Sequence, residues 1–250
     1  MKVSVITAVF NGAKTIQDCI KSVSGQIYPN IEHIIIDGGS TDGTLEVIKR
    51  YTEKRVNIVS EPDNGIYDAL NKGIRQASGE VIGLLYSDDF YAHDRVIEKV
   101  ADIFMKYNID SCYGDLQYVD KNNPDKVIRY WKSSQYRHGK FKYGWMPPHS
   151  TFFVKKEIYN KYGYFNTNFK IAADYELMLR FLEKHKISTY YTPEVFIKMR
   201  IGGTSNRNIK NLIIKSNEDY RAWKVNNLNG GFYTILLKNL CKIPQFFKGT

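Results

Sequence analysis

The sequence predicts one α/β domain with a mostly parallel, Rossmann-like central sheet flanked by helices, then a mixed second half and a C-terminal helical tail. Three observations lead to this fold class. Strands alternate with amphipathic helices through residues 1–110, which is typical of a parallel sheet with helices on both faces. Beyond them a hairpin pattern interrupts the alternation. A chain of 250 residues with 43% hydrophobic content can bury one large core.

The first strand covers residues 2–10, which are β-branched and apolar on both faces, as expected inside a parallel sheet. A turn at Asn11-Gly12 ends it. A helix follows, because four apolar residues recur at the spacing of one helix face: Ile16, Cys19, Ile20 and Val23. The first unit is therefore a strand, a turn and a helix.

The next units repeat this design. Residues 33–37 form a strand, and Ser40 to Gly43 cap a helix that runs from Thr44 to about Lys54. Residues 56–60 form the third strand. A fourth strand covers residues 81–86. Before it, another helix face is formed by Ile66, Ala69, Leu70, Gly73, Ile74 and Ala77.

Mixed elements make up the second half. A helix over residues 95–107 precedes a hairpin with strands at 111–119 and 127–131. The remaining elements are a strand over 150–154, a helix from Asp174 to about His185, and strands over 188–191 and 195–199. We place the end of the folded domain at residue 205.

Residues 206–250 form a basic tail in which apolar and aromatic positions are interspersed with lysines. Two arrangements fit this pattern. The tail could lie on a membrane surface as an amphipathic helix. Alternatively, it could pack back onto the domain or exchange with a second subunit of a homodimer. The sequence leaves both open.

Charge and cysteine usage narrow the class of protein. Residues 126–161 carry nine Lys or Arg and one acidic residue, with aromatic residues between them, so nucleic acid is one partner to consider. No zinc-finger spacing, RNA-recognition motif or basic helix with heptads accompanies these basic residues, and we expect no nucleic-acid partner. A solvated lysine-rich surface is the alternative.

The sequence contains no apolar run of roughly 18 residues, which a membrane span would need, and no C-x-x-C pair among its three cysteines. We therefore expect a cytoplasmic protein.

Acidic and small residues gather where the predicted strands end. Asp37 ends the second strand, and Ser87, Asp88 and Asp89 follow the fourth. Ligands of such sheets bind at the carboxyl ends of the strands. Adjacent carboxylates repel each other unless a cation compensates, and Mg²⁺ or Mn²⁺ suits such oxygen ligands. Helix caps and turns are the structural alternatives. The absence of a phosphate-binding P-loop and of G-x-G-x-x-G argues against an NTPase or a dehydrogenase.

Five segments together resemble a family 2 glycosyltransferase of the GT-A fold, over about residues 1–205. They are V-S-V-I-T-A-V-F-N-G, I-I-I-D-G-G-S-T-D-G-T, D-N-G-I-Y-D-A-L-N-K-G-I, L-L-Y-S-D-D and A-A-D-Y-E-L. The resemblance is greatest to bacterial enzymes that build colanic acid, O-antigen or capsule, whose acceptors are lipid-linked. It implies a nucleotide-binding half at 1–110, an acceptor half at 111–205, and a UDP-sugar as donor.

The resemblance also assigns roles to residues at the donor side. Nucleotide contacts would come from Thr7, Ala8, Phe10, Asn11, Asp37, Ser40, Asp68, Lys72 and Asp88. Asp37 would accept a hydrogen bond from the nucleotide base, and Asp88 would contact the ribose or the sugar. Asp89 would be the protein ligand of Mn²⁺ or Mg²⁺. Ser87 stands where a full D-x-D motif has its first Asp, which leaves the division of roles between Asp88 and Asp89 open. Asp68 and Lys72 also fit an ordinary helix surface.

Asp174 matches the general base of the family, which the chemistry requires because the attacking hydroxyl must lose its proton. A helix N-cap is its structural alternative. His149 would shape the acceptor or diphosphate side, and Arg200 to Ser205 would belong to a loop that closes over the donor. One base without a second carboxylate nucleophile implies inversion at the anomeric carbon, by analogy with inverting glycosidases.

The expected enzyme adds one sugar per encounter, because membrane spans and the Q-x-x-R-W element of processive synthases are absent. The basic tail would contact the inner face of the cytoplasmic membrane if it lies on lipid. The sequence also fits two rival functions: a nucleotide-sugar binding protein without turnover, and a nucleic-acid binder that uses residues 126–161.

Overall fold

The computed structural model describes residues 1–51, 56–202 and 209–241, together with Gln245. Nine strands occur in this part of the chain: β1 Val3–Val9, β2 Ile31–Asp37, β3 Val56–Ser60, β4 Val81–Leu84, β5 Asp89–Tyr91, β6 Ser111–Val119, β7 Val127–Trp131, β8 Phe153–Lys155 and β9 Thr189–Arg200. The α-helices are α1 Ile16–Ser24, α2 Thr44–Lys49, α3 Ile66–Gln76, α4 Val96–Lys106, α5 Lys156–Tyr162, α6 Ala173–Leu179, α7 Ile209–Val225 and α8 Phe232–Leu240.

The strands form one sheet in the order β3-β2-β1-β4-β8-β6-β9-β5, and β7 pairs with β6. β1 to β4 are parallel to one another. β8 lies antiparallel between β4 and β6, whereas β6 and β9 are parallel. The predicted fold class, a mostly parallel sheet with a mixed second half, is confirmed.

Helices cover both faces of the sheet because its strands are apolar on both sides. In β1, Ile6 and Ala8 pack into one core, and Val3, Val5 and Val9 pack into the other. This division follows from the alternation of side chains along a strand. A strand of this kind cannot lie at the surface.

Several bounds differ from the predicted ones for local reasons. The helix α2 ends at Lys49 rather than near Lys54. Residues 149–151 form a 3₁₀ turn, closed by the Thr151 N–H on the Pro148 carbonyl, so the strand predicted over 150–154 begins only at Phe153. The predicted strands over 188–191 and 195–199 are one strand, β9, with register shifts against β6. The helix predicted from Asp174 changes to a π-helical turn over Arg180–Lys184.

The described part of the tail packs back onto the domain. Trp223 in α7 is 1% exposed and donates its indole N–H to the Tyr175 hydroxyl at 3.0 Å. The backbone of α8 approaches Gly144 so closely that a Cβ there would overlap the backbone at Lys238. None of the helices in the described ranges is long and apolar enough to cross a membrane.

Candidate active site

A cleft of about 630 Å³ lies beyond the carboxyl end of β4 and receives side chains from all three parts of the chain. The first half contributes Asp88 and Asp89, and the second half contributes His149, Asp174 and Arg200. The tail contributes Lys215, Asp219 and Lys238. Asp89 and Asp174, expected respectively as metal ligand and base, therefore line the same cleft.

Asp89 begins β5, where it pairs with Met199 of β9, and it is 1% exposed. Neither of its carboxylate oxygens accepts a hydrogen bond from the described residues. Burial raises the pKa of this carboxyl well above its usual range, and the neighbouring Asp88 carboxylate raises it further, while Arg200 opposes them. An ionised group in such a place is costly unless a cation accompanies it.

This donor set fits a divalent cation that shares its coordination with a substrate. The described residues contain no group of three or more His, Cys, Asp or Glu side chains that could enclose a metal ion. Mg²⁺ is usually held by one or two carboxylates together with substrate phosphates, not by a complete protein cage. Asp89, with Asp88 beside it, matches that mode of binding.

Arg200 connects the second half of the chain to the Asp88 turn. Its guanidinium donates to the Asp88 carbonyl at 2.9 Å and also to the Asp18 carboxylate. The same group lies over the Phe90 ring, 4.9 Å from the centroid. The sequence placed Arg200 at the start of a loop, but it is the last residue of β9 and is buried. Ser205, expected in the same loop, lies outside the described residues.

Asp174 lies in the first turn of α6, two residues after the N-cap position, which Ala172 occupies. The backbone N–H groups that precede the helix are bound from the tail instead. Glu218 of α7 accepts hydrogen bonds from Lys170, Ile171 and Ala172 at 2.7, 2.9 and 2.9 Å. The Asp174 carboxylate is thus not used as a cap, and its side chain is 19% exposed toward the cleft.

His149 stands next to this carboxylate. Its Nδ1 is 3.5 Å from Oδ2 of Asp174, and its ring meets the Tyr86 ring edge-on at 5.6 Å. Burial lowers the pKa of His149, and the charges of Lys215 and Lys238 lower it further, while Asp174 opposes them. The imidazole is therefore neutral at pH 7, since its ordinary pKa is already about 6.5.

The tail side of the cleft carries a buried ion pair that sequence reasoning missed. Lys238 is 4% exposed, donates to Asp219 at 2.7 Å and lies 3.6 Å from the Tyr175 ring centroid. Its only signal in the sequence was a lysine within an apolar helix. A partner 19 residues away could not be identified from spacing.

The predicted nucleotide contacts lie at the neighbouring edge of the sheet, where β1 and β2 end. Thr7 is fully buried and its hydroxyl bonds His33 Nε2 at 2.9 Å, while Ala8 is 5% exposed. Phe10 is 63% exposed. Asn11 has a left-handed φ of 52° and accepts from the Thr41 N–H at 2.9 Å, while its own N–H donates to the Ser40 hydroxyl at 2.8 Å.

Asp37 organises this edge. It is fully buried and accepts from the N–H of Gly39, the N–H of Ser40 and the Ser60 hydroxyl, at 3.2, 3.2 and 2.7 Å. Asp68 accepts from the Asn64 N–H at 3.1 Å, and Lys72 pairs with Glu61 at 2.9 Å. Of the predicted nucleotide contacts, Asp88 alone also lines the 630 Å³ cleft within the described ranges.

Comparison with known proteins shows the family to which the chain is similar. The sequence model of glycosyl transferase family 2 matches residues 4–169. An uncharacterised glycosyltransferase of Mycobacterium tuberculosis, strain CDC 1551, is 34% identical over 187 residues, which are 71% of this chain and 68% of that protein.

Solved structures share the fold. S. aureus TarS in complex with UDP-GlcNAc has a TM-score of 0.71 at 18% identity, covering 90% of this chain and 65% of that one. The mannosyltransferase PcManGT from Pyrobaculum calidifontis, in complex with GDP-Man and Mn²⁺, has a TM-score of 0.63 at 17% identity, covering 100% and 76%.

Proposed function

The chain belongs to glycosyl transferase family 2, and we propose that it transfers a sugar from a UDP-sugar to a hydroxyl of a lipid-linked saccharide in bacterial surface polysaccharide synthesis. Transfer occurs with inversion and adds one sugar per encounter. The observation that carries the proposal is the meeting of Asp89 and Asp174 in one cleft. One carboxylate lacks hydrogen-bond donors among the described residues, and the other is accessible to an acceptor.

The donor is proposed to lie across the edge formed by the ends of β1, β2 and β4. Its nucleoside would meet the loops that Asn11 and Asp37 order, and its diphosphate would reach Asp88 and Asp89. TarS binds UDP-GlcNAc and PcManGT binds GDP-Man with Mn²⁺ on the same fold. Asp89 would hold Mn²⁺ or Mg²⁺, which when bound supplies Lewis-acid stabilisation of the leaving diphosphate.

Asp174 is proposed to act as general base. Its carboxylate accepts the proton of the acceptor hydroxyl while the oxygen attacks the anomeric carbon and the bond to the UDP phosphate breaks. The neutral His149 ring lies beside this carboxylate in the same cleft, with its Nδ1 3.5 Å from Oδ2 of Asp174. With one base and no second carboxylate assigned as nucleophile, the anomeric configuration inverts.

A lipid-linked acceptor is supported by the outer face of the tail. Four exposed apolar residues of α8 lie on the side opposite the inward-pointing Lys238: Phe232, Tyr233, Leu236 and Leu240. Contact of this face with anionic lipid would hold the cleft near the membrane. Wild-type protein should sediment with phosphatidylglycerol vesicles, and the Leu236→Asp and Leu240→Asp double variant should not. Equal sedimentation of both proteins would exclude this surface.

The donor assignment is tested with UDP-, GDP- and dTDP-sugars in the presence of Mn²⁺ or EDTA. We expect thermal stabilisation and nucleotide release with UDP-sugars and Mn²⁺ only. Asp89→Asn should lose the response to Mn²⁺, whereas the control Asp94→Asn, at an exposed position five residues on, should keep it. Binding of UDP-sugars without nucleotide release at any metal concentration would instead indicate a binding protein without turnover.

A further inference from the structure

We propose that the tail supplies an anion-binding subsite, formed by Lys215 and Lys238 at the Asp174 end of the cleft, that takes a phosphate of the acceptor. This inference rests on the proposed function, because it concerns the acceptor side of the same reaction. It identifies the acceptor by chemical class, as a saccharide whose lipid carrier is joined through phosphate.

The first support is the burial of a cation where a cleft could have been closed with an apolar side chain. Lys238 is 4% exposed but lines the cleft. Burying an ammonium group is costly, and Asp219, at 2.7 Å, compensates its charge. Lys215 is half-buried and precedes Asp219 by one helical turn. The charges of Lys238 and Asp219 offset each other, and Lys215 lines the same cleft and adds a further positive charge, so this group of three residues carries a net positive charge.

The second support is the position of these lysines. Both charges act on the His149 ring, where they add to the effect of burial in lowering its pKa. His149 in turn lies 3.5 Å from Asp174. The two lysines thus lie near the proposed base, whereas Asp88 and Asp89 lie where we propose that the donor binds. A phosphate bound by the lysines would keep the acceptor on the side from which it attacks.

The third support is the character of the surrounding wall. Apolar and aromatic side chains line much of the same cleft: Ile66, Ile128, Trp131, Met146, Ile171 and Met199. A cleft that combines this apolar wall with Lys215 and Lys238 at its Asp174 end suits an amphiphilic phosphate better than a free inorganic ion. The leaving diphosphate of the donor has the same anionic chemistry, so the experiment must separate the two sources.

Isothermal titration with farnesyl diphosphate, an isoprenyl diphosphate probe, tests the subsite in the full chain saturated with UDP and Mn²⁺. Lys215→Gln should raise the Kd of the probe about tenfold, because a charge-assisted hydrogen bond to phosphate is lost. The Kd of UDP, titrated separately with Mn²⁺, should stay within about twofold. The matched control is Lys210→Gln on the same helix, an exposed lysine that does not line the cleft. It should change neither value.

A raised Kd for UDP with an unchanged Kd for farnesyl diphosphate would assign the lysines to the donor and overturn the proposal. Unchanged values for both ligands, or no binding of the probe by the wild type, would also overturn it. The double variant Lys238→Met, Asp219→Leu replaces the buried ion pair without leaving one charge unpaired. It should raise the Kd of farnesyl diphosphate by about the same factor as Lys215→Gln. Release of UDP from UDP-sugars by the wild type tests the proposed function independently of the subsite.

Discussion

Two regions of the molecule are held in place by different kinds of contact. We call the sheet edge where β1 and β2 end, the proposed site of the donor, the donor edge. The part of the cleft around Asp174, the proposed site of the acceptor, is the acceptor end. At the donor edge, the loops after β1 and β2 bind each other directly, through Asn11 with Ser40 and Thr41, and Asp37 binds its own turn. At the acceptor end, the segment before α6 is bound by Glu218, which lies 46 to 48 residues further along the chain.

This difference implies that nucleotide binding and sugar transfer can be separated by mutation. Hydrogen bonds between adjacent strand ends persist as long as the sheet is formed. The position of Asp174 depends in addition on the packing of α7 against α6, where Trp223 and Tyr175 are in contact. Changes in the tail should therefore alter transfer and leave nucleotide binding nearly intact.

The largest separation is expected from Asp174→Asn. The amide keeps the size of the side chain but cannot accept the proton, and a general base contributes typically about 10² to 10⁴ in rate. Transfer, measured as UDP release with acceptor present, should fall by that factor, while the Kd of UDP from calorimetry stays unchanged. Loss of transfer and of UDP binding together would show that Asp174 supports the donor edge or the fold.

Glu218→Gln tests whether the tail positions the base. Three backbone N–H groups lose a charged acceptor, and hydrogen bonds to charged groups contribute about 1.5–3 kcal/mol. We expect kcat to fall by about tenfold to a hundredfold, and the free energy of unfolding to fall by about 2 kcal/mol in urea titrations. The Kd of UDP should not change.

The matched control for this variant is Glu157→Gln, since the Glu157 side chain is 70% exposed and its ion pair with Lys155 spans 3.7 Å. Surface pairs of this kind contribute little to stability. If Glu218→Gln left kcat unchanged while lowering stability, the role of Glu218 would be structural only.

The same contrast explains what could be predicted from the sequence. β3 and the hairpin strands have the predicted bounds, because periodicity and turn residues act over a few positions. The shared cleft of Asp89 and Asp174 followed from the motif resemblance. Glu218 and Lys238 could not be found, because the groups that they bind lie 46 to 48 and 19 residues away in sequence. Lys215 could not be found, because it reaches the cleft only through the packing of the tail onto the domain. Ile66, expected on the buried helix face, is 41% exposed and lines the cleft.

Acid should weaken the fold through His33, which lies in β2 beneath the donor edge. Burial lowers the pKa of His33 to about 3, so the folded state favours the neutral ring. Its contribution to stability is complete above the unfolded pKa of about 6.5 and is lost as the pH falls below that value, by up to about 1.4 kcal/mol per pH unit. Between pH 7 and pH 5 the loss is about 2 kcal/mol.

His33→Gln should therefore show a smaller decrease in unfolding free energy than the wild type between pH 7 and pH 5, in urea titrations at each pH. The control Asn57→Gln, at an exposed position of β3 without a titratable side chain, should retain the wild-type slope. Identical slopes for His33→Gln and wild type would mean that other groups determine the acid sensitivity.

The smallest effect is expected from Ser40→Ala at the donor edge. The variant removes the acceptor of the Asn11 N–H, a 2.8 Å hydrogen bond in an exposed position, where water can replace the hydroxyl. Such a bond contributes about 0.5–1.5 kcal/mol. The Ser40 N–H still binds Asp37, so the loop keeps this hydrogen bond.

We expect the Kd of UDP to rise by about three- to tenfold with kcat unchanged. The control Ser24→Ala should change neither value, because the Ser24 hydroxyl only donates to the Lys21 carbonyl at an exposed helix end. A fall in kcat at constant UDP affinity would show that the donor edge and the acceptor end move together, against the separation inferred from their contacts.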